Sequence, residues 1–198
     1  MISAGSGHVH LAGICGVGMA GLAVLLKSRG FKVSGCDLSV SPMVDWLAGN
    51  GIKVSIGHDP SHVSGEVGRV IRSSAVPVDA PEIRAAHQRG LPVLRRGEVL
   101  AALLDGFESI AVAGTHGKTT TTGLITQVLQ ACGRSPSFCI GGEIPALGGV
   151  AGVGSGRALV VEADESDGTL SLYSPLYSVV TNIEQDHVEH FGSMEALG

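Results

Sequence analysis

Apolar and polar residues alternate along this chain in blocks, short runs of Val, Ile, Leu and Ala each followed by a segment of helix length. Residues 8–13 (H-V-H-L-A-G) read as a buried strand that runs into glycines. Residues 18–29 place Met19, Leu22, Ala23, Leu25 and Leu26 at helical spacing, and Gly30 stops the helix. A second strand at 32–36 leads to Asp37. A helix opens at Ser41-Pro42, runs through Trp46 and Leu47 and ends at Gly49-Asn50-Gly51. Strands at 53–56 and 69–73, a helix over 81–89 with Pro81 in its first turn, a strand at 92–94 and a short helix over 97–104 follow. This alternation predicts an α/β fold: a parallel sheet with helices on its faces.

The pattern restarts after 105–108 (D-G-F-E), so the chain divides there. Residues 109–113 (S-I-A-V-A) form a buried strand, a glycine loop follows, and a long helix is predicted from 118 to 132. Further strands are predicted at 158–161 and 178–181. The Gly-rich stretch 141–156 shows little periodicity and reads as loop, leaving three or four strands and one helix for this half. Residues 1–7, small and polar, read as a frayed start, and residues 194–198 as the opening of another helix, so the chain is expected to be part of something longer.

Composition changes this picture little. The 198 residues include 30 Gly but only one Trp, two Tyr and four Phe, as suits buried strands of small aliphatic residues. A net charge of −5 argues against non-specific binding to nucleic acid or an acidic membrane. No signal peptide and no apolar run of about 18 residues occurs, so a cytoplasmic protein without membrane insertion is expected. Cys15, Cys36, Cys132 and Cys139 form no C-x-x-C pair and no metal-ligand spacing, and read as free thiols. The spacing of His8, His10, His58, His62, His87 and His190 suggests only surface or core roles.

Four clusters carry chemistry. Gly16-Val17-Gly18-Met19-Ala20-Gly21 matches G-x-G-x-x-G after a strand and at a helix start, where close backbone approach and free amides suit a phosphate. Asp37, 16 residues past Gly21, could accept from a ribose hydroxyl. Alone, this pair would predict NAD binding. Gly114-Thr115-His116-Gly117-Lys118-Thr119-Thr120 is the stronger signal: loop amides cradle polyphosphate, Lys118 balances β/γ charge, and the Thr119 hydroxyl suits Mg²⁺. Only two residues separate its glycines, one departure from the full P-loop form. Glu162 is the first of four carboxylates after an apolar strand (E-A-D-E-S-D) and is a candidate Mg²⁺ ligand. His187, in T-N-I-E-Q-D-H beyond another strand, is a candidate metal ligand that Asp186 could orient.

G-T-H-G-K-T-T-T-T at 114–122, E-A-D-E-S-D at 162–167 and T-N-I-E-Q-D-H at 181–187 stand in the order and spacing of the Mur ligase family, which this sequence resembles over nearly its whole length. The opening H-L-A-G-I-C-G-V-G-M-A-G-L-A and S-S-A at 73–75 are most similar to the member that adds L-alanine. The resemblance implies a Rossmann-like parallel-sheet domain over 1–106 that binds the UDP part of a substrate. It implies next a P-loop ATP-binding central domain, of which 107–198 would be the first part, and a third domain beyond this chain. The implied partners are UDP-N-acetylmuramate and L-alanine, joined through an acyl phosphate. The implied cofactors are ATP and Mg²⁺, with Mn²⁺ as a substitute. Residues 114–120 would bind ATP phosphates, with Lys118, Glu162 and His187 catalytic and Thr119, Glu162 and His187 holding metal. Gly16, Gly18, Gly21, Asp37, Ser73 and Ser74 would contact UDP.

Three readings compete with it. Cys15 stands where Gly is common, as in the related murein-tripeptide ligase. The first glycine loop would also suit an NAD-dependent oxidoreductase, which leaves the P-loop, Glu162 and His187 unexplained. For the chain alone, a nucleotide-binding module without turnover is the expected reading.

Overall fold

The computed structural model describes residues 7–38, 40–164 and 168–184. The first half runs β1 (His8–Ala12), α1 (Val17–Ser28), β2 (Lys32–Asp37), α2 (Pro42–Gly49), β3 (Lys53–Ile56), β4 (Val67–Arg72), α3 (Pro81–Gln88), β5 (Val93–Arg95) and α4 (Arg96–Leu103). Its five strands form one sheet in the order β3-β2-β1-β4-β5. All four pairings are parallel. The order reverses at β1, so the loop after β1 opens at a topological switch point, where such sheets bind ligands.

The second half contributes β6 (Glu108–Ala113), α5 (Lys118–Ala131), β7 (Ser137–Ile144), β8 (Gly149–Gly152), β9 (Ala158–Glu162) and β10 (Tyr177–Val180). Its sheet has the order β10-β6-β9-β7-β8, parallel except for β7 against β8. The end of β7 and all of β8 thus lie in the stretch expected to be loop, and the described residues of this half hold five strands, not three or four. The glycines there serve close packing within a sheet: a side chain at Gly152 would run into the Phe138 ring. Glycine is scored as a loop residue from sequence because its packing partner lies on another strand.

Three apolar clusters make a layered stack. The first sheet packs α3 on one face through Val67, Val70, Ile83 and Ala86. Its other face meets α1 through Val9, Leu11 and Ile71, and α1 in turn lies on β7 and β8 of the second sheet. Beyond the second sheet, α5 covers Phe138, Ile140 and Val160 with Ile125 and Leu129. Every residue of α1 from Met19 to Leu26 is buried, because sheets enclose it on both sides. Gly21 allows that approach: a Cβ there would stand 2.6 Å from Cys139 Sγ. Phe107, in the connection between the halves, carries the Arg29 guanidinium over its ring at 4.1 Å. Among the described residues no helix is long and apolar enough to cross a membrane.

Candidate functional site

In parallel sheets every strand ends at the same edge, so the loops after β1, β4, β6 and β9 gather there. The loop after β1 is held from inside. Gly13 N and Ile14 N donate to Cys36 O at 2.9 and 3.1 Å, while Cys15 N donates to Asp37 Oδ2 at 2.9 Å. Asp37 Oδ1 accepts from Leu38 N at 2.8 Å. Asp37 therefore braces the glycine loop as well as lining the adjoining cavity. Gly16 caps α1, which begins at Val17 with Gly18 on its first turn.

The loop after β6 is tighter. Gly114 has φ +129°, and a side chain there would meet Thr181 Oγ1 and the Asn182 backbone, so only glycine fits. Gly117, at φ +78°, caps α5. The residues after β10 clasp this loop. His116 N donates to Asn182 Oδ1 at 2.9 Å and Thr181 Oγ1 donates to His116 O at 2.6 Å. Thr115 N donates to Asn182 O at 3.1 Å, and Glu184 N to Thr115 Oγ1 at 3.0 Å. Lys118 Nζ lies along the loop, donating to Gly114 O at 2.5 Å and Thr115 O at 3.2 Å. Thr120, one residue into the first turn beyond Thr119, is exposed.

Glu162, at the end of β9, accepts from Thr119 Oγ1 at 3.0 Å and from Gly141 N at 2.7 Å. The two candidate metal ligands from separate motifs therefore touch. Oxygen donors of this kind suit a hard divalent cation. His187 lies outside the described residues, as do residues 1–6 of the frayed start and the helix expected at 194–198.

One cavity of about 290 Å³ joins the two loops. Gly16, Gly18, Ser73 and Ser74 line one side, and Lys118, Gly141, Glu162 and Asp164 the other. A second cavity of about 490 Å³ shares Gly16 and Ser73 and continues past Asp37, His58 and Val76 to Pro81. Gly21 lines neither of these two; it is buried in α1 and packs against Cys139 and Ala151. The sequence reading missed three contributors. Arg96, at the start of α4, lies beside Gly18 and donates from Nη2 to Asp164 Oδ2 at 3.3 Å. Gly141 offers the amide that holds Glu162, and Thr181–Asn182 grip the P-loop. The pair of basic residues, Arg95 and Arg96, directly after the strand at 92–94 on the edge where the glycine loops open was the available signal for Arg96.

The pattern described as "Mur ligase family, catalytic domain" matches residues 8–108, and that of the "Mur ligase middle domain" matches 112–198. The chain is 50% identical over 195 residues to a UDP-N-acetylmuramate–L-alanine ligase of Kineococcus radiotolerans, covering 96% of this chain and 41% of that protein. It is 48% identical to the enzyme of the same name from Gloeobacter violaceus, over 95% of this chain and 41% of the relative. Among solved structures, the UDP-N-acetylmuramate-alanine ligase of Thermotoga maritima superposes with a TM-score of 0.85 at 31% identity, over 96% of this chain and 44% of that one. The UDP-N-acetylmuramate:L-alanyl-gamma-D-glutamyl-meso-diaminopimelate ligase of Neisseria meningitides gives 0.88 at 31% identity, over 98% and 65%. The chain thus spans about 41% of the length of these curated relatives.

Proposed function

Because the chain belongs to the Mur ligase family, we propose that it carries the UDP-substrate module (1–106) and the ATP-phosphate loop (within 107–198) of an enzyme that joins L-alanine to UDP-N-acetylmuramate. ATP is cleaved to ADP and phosphate, and the product is a peptidoglycan precursor. The observation that carries this reading is the cavity lined by both glycine loops. A substrate anchored by its diphosphate at Gly16–Gly18 can present its far end to Lys118 and Glu162. A dinucleotide oxidoreductase would have no use for a Lys and a paired Thr–Glu in that position.

The chemistry follows from the weakness of a carboxylate as an electrophile. The lactyl carboxylate oxygen attacks the γ-phosphorus, the bond to the β-phosphate oxygen breaks and ADP leaves. The alanine amine then attacks the acyl carbon, inorganic phosphate departs, and the new ammonium gives up its proton to solvent. Loop amides and Lys118 offset the charge that gathers on the transferred phosphoryl group. Thr119 and Glu162, with His187, would hold Mg²⁺ or Mn²⁺. The cation, when bound, neutralises phosphate charge and orients the γ-phosphoryl group.

The murein-tripeptide reading rests on a solved relative that superposes equally well. Curated relatives 46–50% identical to this chain carry the alanine-ligase name, which favours the first reading. Calorimetric titration of the 198-residue chain with UDP-N-acetylmuramate, with NAD⁺ as competitor, tests the assignment of the first module. Saturable binding that NAD⁺ leaves unchanged is expected. Binding of NAD⁺ in its place would return the glycine loop to the oxidoreductase reading.

A further inference from the structure

The α3-covered face of the first sheet is not uniformly apolar. A polar stripe crosses it, drawn from β1, β2, the 59–63 turn and α3. Alternation along β1 puts His8 and His10 on this face, and the parallel register sets Ser34 and Cys36 beside them. Ser34 Oγ hydrogen-bonds His8 Nε2 at 2.7 Å and His10 Nδ1 at 3.0 Å. His10 Nε2 then lies 3.4 Å from Cys36 Sγ, and Cys36 Sγ donates to Glu82 Oε1 at 3.2 Å. Glu82 Oε1 also meets His62 Nδ1 at 2.9 Å and accepts from Asp59 N at 2.8 Å. The imidazoles of His10 and His62 stack, with centroids 5.7 Å apart. His58 Nδ1 closes the ring from the side, 3.5 Å from Cys36 Sγ and 2.9 Å from Glu82 Oε2.

This is an unusual place for a carboxylate. Glu82 is fully buried, and its partners are imidazoles, a thiol and an amide rather than an Arg or Lys. Its Oε2 is buried and out of hydrogen-bond geometry even toward His58. Burial opposes its ionisation, yet the bonds from His62, Cys36 and backbone amides outweigh that and hold it down to about 2. Burial, reinforced by the neighbouring His62, lowers His10 to about 4, so that ring is a neutral donor of a lone pair.

We infer that His10 Nε2, Cys36 Sγ, His62 Nδ1 and Glu82 Oε1 form a binding site for one borderline-soft divalent cation of the zinc class. One ligand atom from each of the four residues lies within 4.8 Å of the others, with His10 Nε2–Cys36 Sγ at 3.4 Å, Cys36 Sγ–Glu82 Oε1 at 3.2 Å and His62 Nδ1–Glu82 Oε1 at 2.9 Å. Zinc–nitrogen and zinc–sulfur bonds of about 2.0–2.3 Å place the corners of a tetrahedron about 3.3–3.6 Å apart, so each atom has to move by less than about 1 Å. Two imidazoles, a thiolate and one carboxylate oxygen select zinc over magnesium or calcium, which take all-oxygen sets. The outer contacts fit as well: Ser34 orients His10 through its other nitrogen, and Asp59 N fixes Glu82. Binding releases the Cys36 proton to solvent as the sulfur becomes a ligand. His58, which lines the larger cavity, offers the way in. The four ligands come from four separate segments, which is why the cysteine and histidine spacing along the chain shows no metal pattern.

Cobalt(II) is the probe, titrated into the 198-residue chain after chelator treatment and then displaced by zinc. One equivalent is expected to bind, with a thiolate-to-cobalt charge-transfer band and the intense visible bands of four-coordinate cobalt; zinc should abolish both. Cys36→Ser should remove the charge-transfer band and weaken zinc binding on the order of 100-fold. Cys132→Ser, at the exposed thiol, should change neither. Glu82→Gln provides a second arm should Cys36→Ser fail to fold, and it should weaken zinc while leaving the charge-transfer band weaker but present. No charge-transfer band, a band that survives Cys36→Ser, or one that vanishes with Cys132→Ser would each overturn the site.

Discussion

The chain builds the strand–glycine–helix turn twice, after β1 and after β6, and the two are not equivalent. The first is braced by an acid: Asp37 takes the Cys15 amide, and the nearest basic group in the shared cavity, Arg96, arrives from another helix. The second carries its own cation, Lys118, and is gripped from outside by Thr181 and Asn182. One turn is open and held from below; the other is closed and held from the side. The same backbone grammar therefore specifies only that a phosphate can approach. On the proposed function, the residue at the helix start, Val17 in one and Lys118 in the other, decides whether that phosphate is an anchor or part of a group being transferred.

Lys118→Ala gives the sharpest separation. ATP binding should weaken at least about 100-fold, because the loop loses its one side-chain cation, whereas UDP-N-acetylmuramate affinity should stay within about twofold. Parallel calorimetric titrations read both; an equal loss of both ligands would mean the turns act as one site. Glycine substitutions probe the closed and open geometries. Gly114→Ala forces a side chain into Thr181 Oγ1 at a left-handed φ and should destabilise the fold by roughly 2–4 kcal/mol. Gly16→Ala, at φ −61° with 3.5 Å to the nearest backbone oxygen, should cost less than about 1 kcal/mol. Urea unfolding of the two variants compares them directly, and equal costs would erase the distinction between gripped and open turns.

Much of this was legible along the chain. Periodicity located the strands of the first sheet and the five helices among the described residues, since each apolar run meets its partner face at short range. Thr119 and Glu162 stand out separately as candidate Mg²⁺ ligands; that Thr119 Oγ1 donates to Glu162 at 3.0 Å is visible only in the fold. What the sequence hid was hidden by distance. β7 and β8 looked like loop because Gly141 and Gly152 are explained only by Glu162 and Phe138 on neighbouring strands. Gly21 matched a phosphate motif but packs against a strand more than a hundred positions away. The signal for that was present in α1, which is apolar on every side from Met19 to Leu26 and so must be covered twice.

Gly21→Ala tests that double cover. The new methyl would stand 2.6 Å from Cys139 Sγ between two sheets that cannot both retreat, at an expected cost of about 1–3 kcal/mol. Cys139→Ala in the same chain should recover part of it, and a double-mutant cycle by urea unfolding measures the coupling. Strict additivity would mean α1 is less tightly held against the second sheet than the contacts indicate.

Asp37 gives a modest effect and the most informative one about the open turn. Its two oxygens accept from Cys15 N and Leu38 N, so Asp37→Ala leaves two amides to find water and lets the glycine loop relax. If the carboxylate only braces, UDP-N-acetylmuramate affinity should fall about 10-fold, near 1.4 kcal/mol, and Asp37→Asn should recover most of it, because the amide oxygen still accepts from Cys15 N. If it also receives a ribose hydroxyl, Asn should recover less, since the uncharged amide is a weaker acceptor for the second bond. ATP affinity should be unchanged in both variants. A shift in ATP binding would show that the brace under the first turn is felt across the shared cavity, and the two turns would then have to be treated as mechanically coupled despite their different construction.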